Sequence, residues 1–499
     1  MTKKLVYLVL IVLTGLTFSQ DVGVQDNVNS FFGSINNVIG NFMFFKVFKI
    51  PFIVLVLALG GLFFTFRFGF VNIRLFFHSF KVIAGKYDDP NDQGEITHFQ
   101  ALTSALSATV GLGNIAGVAV AISIGGAGAV FWMWITAFFG MSLKFSCCAL
   151  AQIYRKVAPD GRVLGGPMVY IQEGFEGIGA AGIGKFLAGL FAILTIFASF
   201  GGGNLFQANQ TFELISGQFS FFEGKPLVIG ITLAFLVGVV IIGGIKRIGD
   251  VTSKLVPTMC LFYIIVCLII ILTNFSEVPA MFASIFKNAI APESAIGGFF
   301  GVLVQGVQRA SFSNEAGIGS AAIAHSAAKT KEPVREGVVA MIGPFIDTHL
   351  VCTMTALAIL ITNAHLDPQL VGKGAQITAK AFSSVHFSMP YFLTIAASIF
   401  AYSTMVSWSY YGERATEYLF GRNLIWTYRI FYVLIIIVGP MLTLHNVVDF
   451  ADLMLLSMAF PNILGMIVLS GKLKRKMKDY ISRLDSGEII ETSKELNSP

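Results

Sequence analysis

The chain of 499 residues is 55% hydrophobic and only 12% charged, with 34 Lys/Arg against 28 Asp/Glu for a net charge of +6, and its mean hydropathy is +0.75. A soluble domain carries about twice that charged fraction, and many apolar runs here reach the ~20 residues that span a bilayer. The composition therefore excludes a soluble protein and reads as an all-α polytopic membrane protein, whose positive charge is a matter of loop topology rather than a nucleic-acid signal.

Residues 1–20 carry Lys3 and Lys4, an apolar run from Leu5 to Leu16 and then Thr17-Phe-Ser-Gln20. This pattern predicts a secretory signal peptide, with a first membrane helix as the alternative. Residues 21–49 are polar to mixed and are expected outside the cytoplasm. Ten or eleven spans follow, near 50–66, 99–124, 127–154, 186–216, 226–243, 255–273, 297–328, 337–362, 391–412, 425–440 and 448–470. Alternating from an external 21–49, the inside loops hold 23 Lys/Arg and the outside loops hold 6. That excess sets the orientation, with a cytoplasmic C-terminus. The tail 471–499 opens with Lys472, Lys474, Arg475, Lys476 and Lys478, a basic membrane-surface anchor, and reads as disordered beyond Ser482. All five cysteines, Cys147, Cys148, Cys260, Cys267 and Cys352, lie in apolar segments at no metal-ligand spacing and read as buried small hydrophobes.

Gly111-Leu-Gly-Asn-Ile-Ala116 has an echo 206 residues later, Gly317-Ile-Gly-Ser-Ala-Ala322. Each lies in a long span with glycines at its middle. The first opens five spans over 99–273 and the second opens five over 297–470, separated by an external loop at 274–296. Five is odd, so the two groups enter the membrane from opposite sides. Paired, Gly-interrupted spans in inverted halves point to the central site of a secondary transporter.

Gly111 and Gly113 beside Asn114 predict a break at mid-membrane depth. Its N–H end, near Gly113 and Asn114, suits a carboxylate, and its C=O end, Ser107 to Val110, suits a cation such as Na⁺. At the second break, Glu315 is either a coupling group or a structural partner of Arg309 or of nearby N–H groups. Phe312 either closes over a ligand or packs against helices and lipid. Of Asn204, Gln207 and Asn209, Gln207 is the one expected to face the cavity. Ser403 and Thr404 offer hydroxyls to a cation or bond back to their own helix. Thr404 and Trp408 share a helical face, where Trp408 bounds a small pocket. Asp347 and Lys144 read as structural, Lys144 as a snorkelling side chain. No P-loop, zinc-protease helix or nucleophile elbow is present. ATP-driven transport and enzymatic chemistry are therefore not expected.

The segments Gly111-Leu-Gly-Asn-Ile-Ala-Gly117, Phe131-Trp-Met-Trp-Ile-Thr-Ala-Phe-Phe-Gly-Met141, Phe312-Ser-Asn-Glu-Ala-Gly-Ile-Gly-Ser320 and Trp408-Ser-Tyr-Tyr-Gly-Glu413 resemble the alanine-or-glycine:cation symporter family. Gly343-Pro-Phe-Ile-Asp347 and Val351-Cys-Thr-Met-Thr-Ala-Leu357 fit the same pattern, and Val110–Asn114 resembles the first core helix of the leucine-transporter-type superfamily. The resemblance covers about residues 50–470. It implies a five-plus-five inverted-repeat fold with discontinuous first and sixth core helices and one extra helix, 50–66, before them. It implies uptake of alanine or glycine driven by Na⁺ or H⁺ across the cell inner membrane, with a passive facilitator or channel as the alternative. It puts substrate contacts on Gly111, Leu112, Gly113, Asn114, Gln207, Phe312, Thr404 and Trp408. A cation site would fall on Ser107 and Val110 carbonyls with Ser403 and Thr404 hydroxyls, and Thr109 is a further candidate. Leu112 departs from a family pattern that often has Thr between the glycines, which matters little where backbone alone binds.

Overall fold

Apolar runs with little charge bury their backbone polar groups by coiling into helices, the structure a bilayer requires. The computed structural model describes residues 50–89, 91–291, 298–370, 373–489 and 491, together with 29, 30, 33, 34, 36, 40 and 45–47. The expected signal segment, 1–20, lies outside the described residues.

In chain order the main helices are α1 (Phe52–Arg67), α2 (Phe76–Ile83), α3 (His98–Thr109), α4 (Ala116–Gly125), α5 (Gly128–Tyr154), α6 (Pro167–Glu176), α7 (Ala181–Phe200), α8 (Phe206–Gln218), α9 (Pro226–Ile241) and α10 (Gly244–Thr273). They continue with α11 (Val278–Ile290), α12 (Gly298–Asn314), α13 (Ala321–His325), α14 (Pro333–Ala340), α15 (Thr353–Ile361), α16 (Gly374–Ser383), α17 (Met389–Phe420), α18 (Ile425–Val438), α19 (Leu444–Ser457) and α20 (Ala459–Asp485). Two-residue strand pairs, Lys46–Val47 with Ile50–Pro51 and Lys156–Val157 with Val163–Leu164, are both antiparallel.

Each expected span coincides with a helical stretch. Among the described residues, seven helical stretches are long and apolar enough to cross a membrane, eight when the bent pair α3–α4 counts as one. α1 and α9 are shorter apolar helices. Four loops contain helices that the sequence reading left out, α2, α6, α11 and α16. α6 starts on Pro167, where a missing N–H and a preset φ favour a helix start. α3 starts on a capping box, with the Thr97 hydroxyl accepting from Gln100 N at 3.2 Å and Gln100 Oε1 accepting from Thr97 N at 3.0 Å.

The centre of the fold is the pair α3–α4, packed against α10, α12, α16 and α17, with α5 backing α12 and α14. α9 and α18 pack on each other at the periphery and expose apolar side chains such as Phe235 and Ile430, as lipid-facing helices do.

The last helix runs three residues past Ser482, where disorder is expected to begin, and residues 490 and 492–499 lie outside the described residues. α20 runs on to Asp485, because Leu473, Met477 and Tyr480 recur at helical spacing and are buried. Arg483 reaches Glu332 at 2.8 and 3.0 Å, and Glu491 pairs with Lys81 at 3.3 Å and Lys86 at 3.5 Å. His78 Nε2 on α2 lies 2.7 Å from the Tyr480 hydroxyl. Burial, with the Arg335 and Lys81 charges nearby, pushes His78 from 6.5 down to about 4, so this contact is made by a neutral imidazole.

Candidate functional site

α3 and α4 are separated by an unwound stretch and bend by 57°. A single turn, Leu112–Asn114, sits in the gap. In a bilayer the freed backbone groups need partners, and side chains of four other elements supply them. Leu112 N donates to Gln207 Oε1 at 3.2 Å, and Gly111 N to Asn114 Oδ1 at 2.9 Å. The Asn114 carbonyl accepts from the Thr355 hydroxyl at 2.8 Å, and the Ile115 carbonyl from Thr378 at 3.1 Å. At the carbonyl end, Thr404 Oγ1 donates to the Ser107 carbonyl at 2.9 Å. A Cβ on Gly111 would lie 2.5 Å from Thr404 Oγ1, so only glycine lets the broken strand approach α17 this closely.

The second break follows α12 and has a different construction. Glu315, Gly317 and Gly319 take left-handed backbone with φ of 54°, 85° and 98°, unfavourable for Glu315 and easy for the glycines. Trp408 Nε1 donates to Glu315 Oε1 at 3.0 Å, and the Ser320 hydroxyl donates to the other carboxylate oxygen. Lys144 Nζ donates to the Asn314 carbonyl at 2.6 Å, and Asn462 Nδ2 to the Gly317 carbonyl at 2.7 Å.

These contacts correct two expectations. Lys144 does not snorkel; it is fully buried and its ammonium sits on the carbonyl end of α12, where a cation complements the helix dipole. Glu315 does not pair with Arg309. Arg309 forms its ion pair with Asp452, and its guanidinium lies 5.5 Å from the Phe312 ring.

Thr109, Gly113, Gln207, Phe312, Glu315 and Trp408 line one cavity between the breaks. It is about 10 Å³ in volume, roughly enough for one water. Phe312 meets Phe206 edge-on at 5.3 Å. Trp408 is wedged against Gly203, where a Cβ would come within 2.4 Å of the indole. Gln207 also donates to the Gly202 carbonyl at 3.0 Å. Asn204 and Asn209 instead bond carbonyls of Tyr432, Gly439 and Leu442. Asn114 points away from this cavity: its Nδ2 donates to Asp347 Oδ2 at 2.8 Å. Asp347 is buried and also accepts from Ser313 at 2.7 Å and Thr348 at 3.0 Å, hydroxyls that only their position in apolar runs could have flagged.

Of the expected cation ligands, Ser107, Ser403 and Thr404 are brought together where α3 crosses α17. Ser107 Oγ donates to the Ser403 carbonyl at 2.8 Å, and Ser403 Oγ bonds back to the Phe400 carbonyl at 2.9 Å. Thr109 Oγ1 bonds back to Leu106 at 3.3 Å, and Val110 follows the last turn of α3 in a non-helical conformation. Among the described residues no three His, Cys, Asp or Glu side chains cluster as metal ligands; the oxygens gathered here are hydroxyls and carbonyls, which suit a hard monovalent ion.

Comparison with known proteins agrees with this architecture. A family model described as the sodium:alanine symporter family matches residues 30–494. The sodium/alanine symporter AgcS of Methanococcus maripaludis is 42% identical over 430 residues, covering 86% of this chain and 94% of that protein. The probable sodium/glutamine symporter GlnT of Bacillus subtilis is 35% identical over 439 residues, covering 87% and 89%. The crystal structure of MhsT with L-phenylalanine matches with a TM-score of 0.53 at 16% identity, over 76% of this chain and 89% of that one. At that identity the likeness is one of fold, that of leucine-transporter-type carriers.

Proposed function

The chain belongs to the sodium:alanine symporter family, and from that premise we propose that it is a multi-pass transporter of the cell inner membrane that couples Na⁺ entry to uptake of a small neutral amino acid, alanine or glycine, by alternating access. The observation that carries the substrate reading is the Leu112 N–H. It belongs to the positive end of the second half-helix and is held by the neutral amide oxygen of Gln207. A substrate carboxylate replaces that oxygen with a charge, and hydrogen bonds to ionised acceptors are about twice as strong as neutral ones. The freed Gln207 then accepts from the substrate ammonium. Gly111, Leu112 and Gly113 supply backbone contacts, Asn114 shapes the turn, and Phe312, Thr404 and Trp408 bound the side chain. The narrow space between Trp408 and Phe312 favours a small side chain.

The Na⁺ reading rests on the oxygens at the α3–α17 crossing. Ser107 and Val110 carbonyls and the Ser403 and Thr404 hydroxyls form the ligand set, with Thr109 beside them. The hydroxyls now donate to carbonyls, and turning them toward a cation gives up neutral hydrogen bonds worth about 0.5–1.5 kcal/mol each. Substrate and ion are thus bound at opposite ends of one break, which links their occupancies. The two breaks meet at one cavity, which supports an inverted repeat of 99–273 and 297–470 with α1 outside it, and a cytoplasmic C-terminus follows from the charge bias. A cavity with room for about one water disfavours a continuous pore. Uptake of labelled alanine into vesicles, driven by a Na⁺ gradient and competed by glycine, serine and glutamine, tests the reading. Uptake that never exceeds equilibrium with a Na⁺ gradient imposed would overturn symport, and uptake driven equally by a pH gradient in choline would replace Na⁺ by H⁺.

A further inference from the structure

α1 and α20 lie side by side at the surface; a Cβ on Gly60 would sit 3.1 Å from Ile463. Their outward faces form an apolar seam. Leu59, Phe63 and Phe66 of α1 and Leu464, Ile467 and Val468 of α20 are all exposed, as lipid-facing side chains are. The seam ends where α1 stops. There Gly69 and Phe70 take φ of 59° and 56° and turn the chain back, which brings Arg74 beside Arg67. Across the gap, α20 continues beyond Val468 and, within about three turns, presents Lys474 and Lys478.

These four cations line one cavity of about 490 Å³, with Phe66 on its rim and Asp485 as the single carboxylate. Of the nearby basic groups, Lys81 and Lys86 pair with Glu491 and Arg483 with Glu332 and Asp479, whereas Arg475 and Lys476, outside the cavity, have no ion pair among the described residues. Arg67, Arg74, Lys474 and Lys478 have no ion-pair partner among the described residues. A general excess of positive charge on one side of a membrane protein calls only for scattered cations. Four of them facing one concave space is a different arrangement. It repels itself unless an anion is present, and guanidinium and ammonium groups together match phosphate oxygens.

We propose that this cavity binds the phosphate group of an anionic phospholipid, whose acyl chains lie along the α1–α20 seam. The apolar seam meeting the cationic cavity at the depth where a headgroup sits makes a lipid the occupant, rather than a soluble phosphate.

The test uses the purified full chain in detergent, with phosphatidylglycerol, phosphatidylcholine and inorganic phosphate as probes, read by native mass spectrometry of bound lipid. Wild type retains phosphatidylglycerol over phosphatidylcholine. K474Q/K478Q lowers phosphatidylglycerol binding about tenfold, since each headgroup cation contributes a several-fold factor. R475Q/K476Q removes the same charge from the same helix outside the cavity and lowers it by less than about threefold. Both pairs lie on exposed or half-buried positions of one helix, so folding is matched between them. Equal losses in the two variants, or no preference for the anionic lipid, would overturn the proposal. So would displacement of the bound lipid by millimolar inorganic phosphate, which would identify a soluble phosphate site. None of these outcomes depends on transport.

Discussion

The two helix breaks occupy the same cavity and are built on opposite principles. The first, between Thr109 and Ala116, is held mainly by neutral hydroxyls and amides, with only the Asn114 side chain on the Asp347 carboxylate, and its key N–H rests on the Gln207 side chain. The second, between Asn314 and Ala321, is locked by three left-handed residues and by charged groups, Glu315 against Trp408 and Lys144 against the Asn314 carbonyl. Neutral partners exchange for a ligand at little cost, because an ordinary hydrogen bond contributes only about 0.5–1.5 kcal/mol net. A buried charge deprived of its partner costs several times more. The first break is therefore suited to binding and release, and the second to holding its shape.

Changes that separate these roles test the contrast. The largest effect is expected from Gly111→Ala. Its Cβ would press on Thr404 Oγ1 at 2.5 Å and push the break away from α17. Displacements of about 1 Å in a site cost roughly 100-fold in rate. Alanine uptake in vesicles should fall by that order while the amount of inserted protein is unchanged; normal uptake would show that the close approach is dispensable.

Lys144→Met should act on stability. It strips the Asn314 carbonyl of a charge-assisted bond worth about 1.5–3 kcal/mol. The melting temperature of the purified protein should drop. An unchanged melting temperature, with Na⁺ dependence abolished, would assign the second break to coupling rather than scaffold.

Gln207→Ala tests the first break from the side-chain end. Losing one bond to a charged substrate group raises KM by about tenfold, measured by initial uptake rates, with little change in melting temperature. A fall in maximal rate at constant KM would instead place Gln207 in the conformational cycle.

The smallest effect lies far from both breaks. His78 has its folded value lowered to about 4 from 6.5. The unfolded or undocked form therefore takes up a proton that the docked form excludes. Docking of the tail helix on α2 is fully stable above pH 6.5, weakens below it, and has lost this contribution once pH falls through about 4. Hydrogen exchange of the 472–485 amides should speed up over that window, and His78→Gln should flatten the response.

Hydropathy and glycine placement were enough to read the membrane class, the positions of the apolar helices and the break at Gly111–Asn114, because these depend on local composition and on the bilayer acting as solvent. The motifs in 99–141, 312–357 and 408–413 were enough to read the family. Helices in loops, such as α16, were not legible, since their stability comes from packing on α4 and α17 rather than from an apolar run long enough to notice. Partner choice was not legible either. Arg309 and Glu315 are six residues apart and of opposite sign, yet the fold sends one to Asp452 and the other to Trp408 and Ser320. Lys144 has the sequence context of a snorkelling residue and lies buried beneath a helix end that arrives from 170 positions away in the chain. Sequence alone determined which segments are apolar helices and where two of them break. Only tertiary structure decided what satisfies each freed polar group, because in a low-dielectric interior that depends on which side chains other helices bring within about 3 Å.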